Sequence, residues 1–83
     1  MAQVEGSSLV AQAIAREGVE TLFGLAGGPI QDIMGFAQHF GVRPIGVRHE
    51  QAATFSAAAY GFVKNQVGVA VLAAGPAVSN GVT

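Results

Sequence analysis

Apolar positions recur along this chain in two alternating rhythms. Leu9, Val10, Ala13 and Ile14 share one face of a helix that Ser7 or Ser8 can cap and Gly18 can stop. Ile30, Ile33, Met34 and Ala37 do the same for a second helix, with Pro29 suited to its first position and Gly41 to its end. A third, from Glu50 to about Lys64, is alanine-rich, carries Phe55, Tyr60 and Phe62, and is apolar on most sides, which predicts burial. Short runs with strand character, 21–25, 43–47 and 69–73, lie between the helices. Strand, helix, strand, helix, strand is the crossover pattern of a parallel sheet, so the expected fold class is α/β with crossover helices.

A weak internal repeat sharpens the expectation. Gly18-Val19, Gly41-Val42 and Gly68-Val69 each open a strand at nearly equal intervals. Equivalent strand ends of a parallel sheet share one edge, so 26–29, 49–51 and 75–77 are expected together at the carboxyl edge, where open α/β sheets bind ligands. The final stretch, GPAVSN onward, reads as the start of a fourth helix with Ser79 or Asn80 near its cap. Three strands with open edges are adhesive. The expectation is that residues 1–83 are the opening section of a longer polypeptide, or that a partner completes the sheet.

Composition agrees. Of 83 residues 51% are apolar, and the mean hydropathy is +0.47. A chain this short hides only about 60% of its unfolded surface, so some apolar surface is expected against another domain or subunit. Four Lys and Arg, spread singly, and a net charge of −1 form no basic stripe, which argues against nucleic acid. There is no cysteine, and His39 and His49 do not have metal-ligand spacing, so no metal ligand is assigned. The N-terminus has no basic or apolar signal region, and no apolar stretch approaches the roughly 20 residues of a membrane span; a cytoplasmic protein without a membrane partner is expected.

Two segments can carry chemistry. The loop GLAGGP, 24–29, follows a strand and precedes a helix, but its glycine spacing is not that of a dinucleotide fingerprint, and the Lys of a phosphate loop is missing. A tight turn with a proline-started helix is the simpler reading. The functional one is that glycine lets the backbone approach a flat ligand. Glu50 opens a helix, where the dipole favours a carboxylate by about 0.3–1 kcal/mol. A helix-start acid is again the simpler reading, although the small apolar residues around it suggest a group partly withdrawn from water, with desolvation and dipole shifting its pKa oppositely. Arg48 and His49 read as surface or ion-pair residues, Asp32 as a first-turn acid and Tyr60 as core.

Taken in order, FGLAGGPIQDI, VRHEQAATFSAAAYGF and VAVLAAGPAVSNGVT resemble three successive signatures of the pyrimidine-binding domain of thiamine-diphosphate enzymes. The resemblance spans nearly the whole chain, and its most specific element is the Arg-His-Glu-Gln string. Within that superfamily the sequence is most similar to 2-hydroxyacyl-CoA lyases and oxalyl-CoA decarboxylases, with acetolactate synthase and benzaldehyde lyase types as neighbours, and the discriminating stretch is Ala58-Ala59-Tyr60-Gly61-Phe62.

The resemblance implies that residues 1–83 are the first part of that domain and that Glu50 is catalytic. Its carboxylate would share a proton with N1′ of the cofactor's aminopyrimidine, promoting the imino tautomer that takes the proton from thiazolium C2; the ylide then attacks a carbonyl, and the ring acts as electron sink. Gly27, Gly28 and Pro29 match the loop near the reacting end of the cofactor, and Ala74, Gly75 and Asn80 match the turn after the third strand. This chain has Gly75-Pro76-Ala77 where the family commonly has Gly-Pro-Gly, and Ala74 where it often has Ser or Thr.

The Gly-Asp-Gly…Asn motif that holds Mg²⁺ and diphosphate in the family is not in the chain, so Mg²⁺ is expected on another domain and these residues alone are expected to be inactive. The implied activity is lyase cleavage of a 2-hydroxyacyl-CoA to formyl-CoA and an aldehyde or ketone, or the reverse, by a homodimer or homotetramer acting on an acyl-CoA substrate. Oxalyl-CoA decarboxylation or an acetolactate-synthase-like reaction are the alternatives within the superfamily. A non-catalytic pyrimidine-domain module is the alternative outside it.

Overall fold

The computed structural model describes residues 6–25 and 30–82. They form α1 (Gly6–Arg16), β1 (Thr21–Gly24), α2 (Gln31–His39), β2 (Arg43–Gly46), α3 (Glu50–Lys64), β3 (Ala70–Val71) and α4 (Pro76–Val82). The strands make one parallel sheet in the order β2-β1-β3. Thr21 to Gly24 pair with Arg43 to Gly46 on one side, and Phe23 and Gly24 with Ala70 and Val71 on the other.

β1 is buried along its whole length because it has a neighbour at each edge and helices on each face. Successive side chains leave a strand on opposite sides. Leu22 therefore joins Ala11 of α1, Ala37 of α2 and Val42 in one cluster, while Phe23 joins Ala53 and Ala57 of α3 in another. The ring of Tyr60 meets Phe23 edge-on at 5.8 Å, which makes it a core residue as its spacing suggests. Most of the buried helical positions are alanines, so the helices lie close to the sheet and the largest fully buried side chains are only Leu22 and Val42.

The three repeated glycines serve two ends. Gly18 and Gly41 have φ of 81° and 88°, the left-handed turn that ends α1 and α2 and sends the chain into the next strand. Gly68 is needed for space, since a Cβ there would run into the carbonyl oxygen of Ala57. Gly61, inside α3, faces the same returning segment: its Cβ would lie 2.8 Å from the carbonyl oxygen of Gln66. The turn between them is made by Asn65 in the left-handed conformation, φ 54°.

Several expectations need correction. Ser7 and Ser8 lie inside α1, in its first turn, and the covered face of that helix is Ala11, Ile14 and Ala15. Leu9 and Val10 are 54% and 45% exposed and Ala13 is exposed too; among the described residues α1 packs on α2 and the sheet. α3 runs from Glu50 to Lys64 as expected, but it buries only Ala53 and Ala57; Phe55 is 62% and Phe62 89% exposed. α4 starts at Pro76, whose missing N–H costs nothing at a first helical position, so Ser79 and Asn80 are within the helix and do not cap it.

Leu22→Ala is expected to cost about 2–5 kcal/mol, and Gly68→Ala about 1–3 kcal/mol through the collision with Ala57. Equilibrium urea midpoints of the full-length protein, or of the isolated chain if it folds, measure both; a loss under 0.5 kcal/mol for Gly68→Ala would mean that α3 and the β3 approach are not seated against each other.

Candidate functional site

Because all three strands are parallel, their carboxyl ends fall on one edge, and the segments leaving that edge carry the predicted site residues. β1 ends at Gly24, where a Cβ would sit 2.8 Å from the Val71 carbonyl oxygen of the neighbouring strand. Gly27, Gly28 and Pro29 follow and lie outside the described residues. β2 leads through 47–49 to Glu50, the first residue of α3. β3 leads to Ala74 and Gly75, which are exposed, with Gly75 turning at φ 80° to bring Pro76 into α4.

α3 and α4 pack on each other, and this joins two of the three segments. Asn80 Nδ2 donates to Glu50 Oε1 across 3.2 Å, between residues thirty apart in sequence. Glu50 is partly buried and Asn80 exposed. The Glu50 carboxyl is held below its ordinary pKa chiefly by its own backbone N–H and then by the Asn80 amide; burial opposes these two less strongly, and the adjacent His49 lowers it least. A carboxylate lowered in this way favours folding fully above the ordinary carboxylate pKa, and that contribution is lost as pH falls through the lowered folded value.

His49 has a role that its residue type concealed. It is the N-cap of α3, in extended backbone conformation, and its Nδ1 accepts from the N–H of Gln51 at 3.0 Å. Histidine is not among the strongly preferred caps; the only signal available was its place immediately before a helix-start acid. Thr54 Oγ1 turns back to the Glu50 and Gln51 carbonyls. Arg48 is exposed, as is Asp32 in the first turn of α2.

An open furrow of about 570 Å³ follows α2 past Gln31, Asp32, Phe36 and His39. Among the described residues its walls come from α2 alone and include neither Glu50 nor Ala74, Gly75 or Asn80. Among the described residues no three of His, Cys, Asp or Glu gather as metal ligands, and no helix is long and apolar enough to cross a membrane.

The edge therefore offers a carboxylate whose ionised form is favoured, placed at a helix start and bonded to a neutral amide of α4, with the exposed turn of Ala74 and Gly75 leading into that helix. Several known proteins are similar to this chain in sequence. It is 40% identical over 74 residues to 2-hydroxyacyl-CoA lyase 1 of Homo sapiens, covering 89% of the chain and 13% of that protein. It is 35% identical over 79 residues to oxalyl-CoA decarboxylase of Escherichia coli, covering 95% and 14%. A probable acetolactate synthase of Mycobacterium bovis is 39% identical over 75 residues, covering 90% and 14%. The chain thus spans only about a seventh of the length of these relatives. Residues 4–83 match the family described as thiamine pyrophosphate enzyme, N-terminal TPP binding domain, and the chain belongs to that family.

Proposed function

We propose that this chain forms the aminopyrimidine side of a thiamine-diphosphate site, and that the full protein is a carbon–carbon lyase cleaving a 2-hydroxyacyl-CoA to formyl-CoA and an aldehyde or ketone, reversibly. The observation that carries the site is the Glu50 carboxylate at the carboxyl edge, held by Asn80. The substrate class is supported by the relative named 2-hydroxyacyl-CoA lyase and by the small-residue stretch 58–62. Gly61 within that stretch also has a packing role against 66–68, so the stretch carries less weight for substrate than the relative does.

When bound, thiamine diphosphate supplies a nucleophilic carbon and an electron sink. The residues of this chain fit its aminopyrimidine. Glu50, half-exposed and with its ionised form favoured, would accept a hydrogen bond from protonated N1′ and so stabilise positive charge on that nitrogen. Ala74 and Gly75 present no side chain that would obstruct a flat ring, and a Cβ at Gly75 would meet open space. Gly27, Gly28 and Pro29 would complete the pocket from the third segment. The described residues do not fit Mg²⁺, which we place, with the diphosphate, on another domain.

The oxalyl-CoA decarboxylase relative supports a second reading, and the acetolactate synthase relative a third. A second copy of the chain is the proposed partner. Phe55, Phe62, Val63 and Val67 are exposed along and just beyond α3, a surface that association would withdraw from water.

The full-length protein with thiamine diphosphate and Mg²⁺ is expected to release formyl-CoA together with an aldehyde or ketone from 2-hydroxyacyl-CoA. Carbon dioxide release from oxalyl-CoA alone would select the second reading, condensation of pyruvate the third, and failure to bind thiamine diphosphate a non-catalytic module. Glu50→Gln is expected to leave cofactor affinity within about tenfold, while turnover falls about 10²–10⁴-fold and C2 proton exchange slows with it; an unchanged exchange rate would remove Glu50 from the chemistry. Phe62→Asp is expected to weaken self-association by about tenfold or more, read by sedimentation velocity, and an unaltered distribution would move the interface off α3.

A further inference from the structure

We propose that Asn80 is a positioning residue for Glu50, acting on the reaction through that carboxylate and not by contact with the cofactor; this rests on the thiamine-diphosphate reading above. Glu50 has three rotatable bonds and stands at the rim of the sheet, where its side chain has many places to go. His49 is committed to the Gln51 N–H and Thr54 to backbone carbonyls. The Asn80 amide is the side-chain donor that reaches Glu50 among the described residues.

Its own place is set by packing. Gly81 beside it is buried, and a Cβ there would run into the Leu72 side chain and lie 3.5 Å from Thr54 Cγ2, so α4 is seated directly on the strand end and on α3. The residue type also matters. An arginine could take both carboxylate oxygens and fix the charge in an ion pair. An amide gives one N–H to one oxygen, favours the ionised form and leaves acceptor sites for a proton-bearing partner. Of the elements packed on α3, β1, β3 and α4 carry no ionisable side chain; Arg48 and His49 precede Glu50, and Tyr60 and Lys64 lie further along α3.

The test is a double-mutant cycle in the full-length protein. Asn80→Asp keeps the shape but replaces the donor by a second carboxylate 3 Å or so from the first, and Asn80→Ala removes it; each is made with Glu50 and with Glu50→Ala. Thiamine-diphosphate dissociation constants, C2 exchange rates and denaturation midpoints are measured between pH 5 and 8. With Glu50 present, Asn80→Asp is expected to weaken binding and slow exchange about three- to thirtyfold near neutral pH. The loss should shrink as pH falls, when one of the two carboxyls takes up a proton and a donor returns. With Glu50→Ala the same substitution should change neither quantity. Equal losses in both backgrounds would overturn the proposal, since Asn80 would then meet the cofactor itself or only hold α4. Should Glu50→Ala alone leave affinity and exchange untouched, the thiamine reading fails, and the catalytic part of the proposal with it. The coupling of Asn80 to Glu50 in the denaturation midpoints is then still measured by itself, so the two failures are distinct.

Discussion

The carbonyl oxygen of Ala57 lies where a side chain at position 68 would begin, and the placing of α3 depends on that contact. With glycine at 68 and 61, and alanine at 53 and 57, the helix settles close to the sheet. Any larger residue at these positions would lift it outward. The depth of α3 in turn sets the height of its first residue above the carboxyl edge, and that residue is Glu50. A packing requirement in the middle of a helix thus controls the location of a charge at its end.

Charge at that end is maintained by weak means acting together. The backbone N–H of Glu50, the amide of Asn80 and the nearby imidazole of His49 all favour the ionised carboxylate, and partial burial opposes them less strongly. None of the three is a full ion pair in place, so the group is left charged without being saturated. On the proposed function, this suits a carboxylate that would meet a protonated ring nitrogen.

Much of this arrangement was legible in the residues. Period and punctuation place all three strands, although β3 keeps only two of the five residues expected of it, and they bound α3 at Glu50 and about Lys64, because glycines and alternating apolar runs act locally. The parallel sheet placed Glu50 and the Gly75 turn at one edge. What local pattern could not supply was direction. Leu9 and Val10 have the helical spacing of a buried face, yet Ala11 is the residue that is covered, since burial depends on which neighbour arrives. Ser79 and Asn80 are good caps in isolation and so place the start of α4 four or five residues late, whereas Pro76 begins the helix. For the same reason the residues alone place Asn80 in the turn; its bond to Glu50 exists only once α3 and α4 have packed. The histidine cap was illegible because it is an exception to residue preference.

β3 joins the sheet through two residues, Ala70 and Val71, and α4 follows it directly. A strand held by so short a ladder, with few large side chains beneath it, belongs to the least protected part of a fold. Local opening there would carry Asn80 away while β1, β2 and α3 remained in place. The amide hydrogens of 70–82 would then exchange with solvent faster than those of β1, and the fraction of time that Glu50 spends oriented would be governed by the opening equilibrium of this one segment. Any neighbour that covered the outer edge of β3 would therefore also lengthen the time for which Asn80 holds the Glu50 carboxylate.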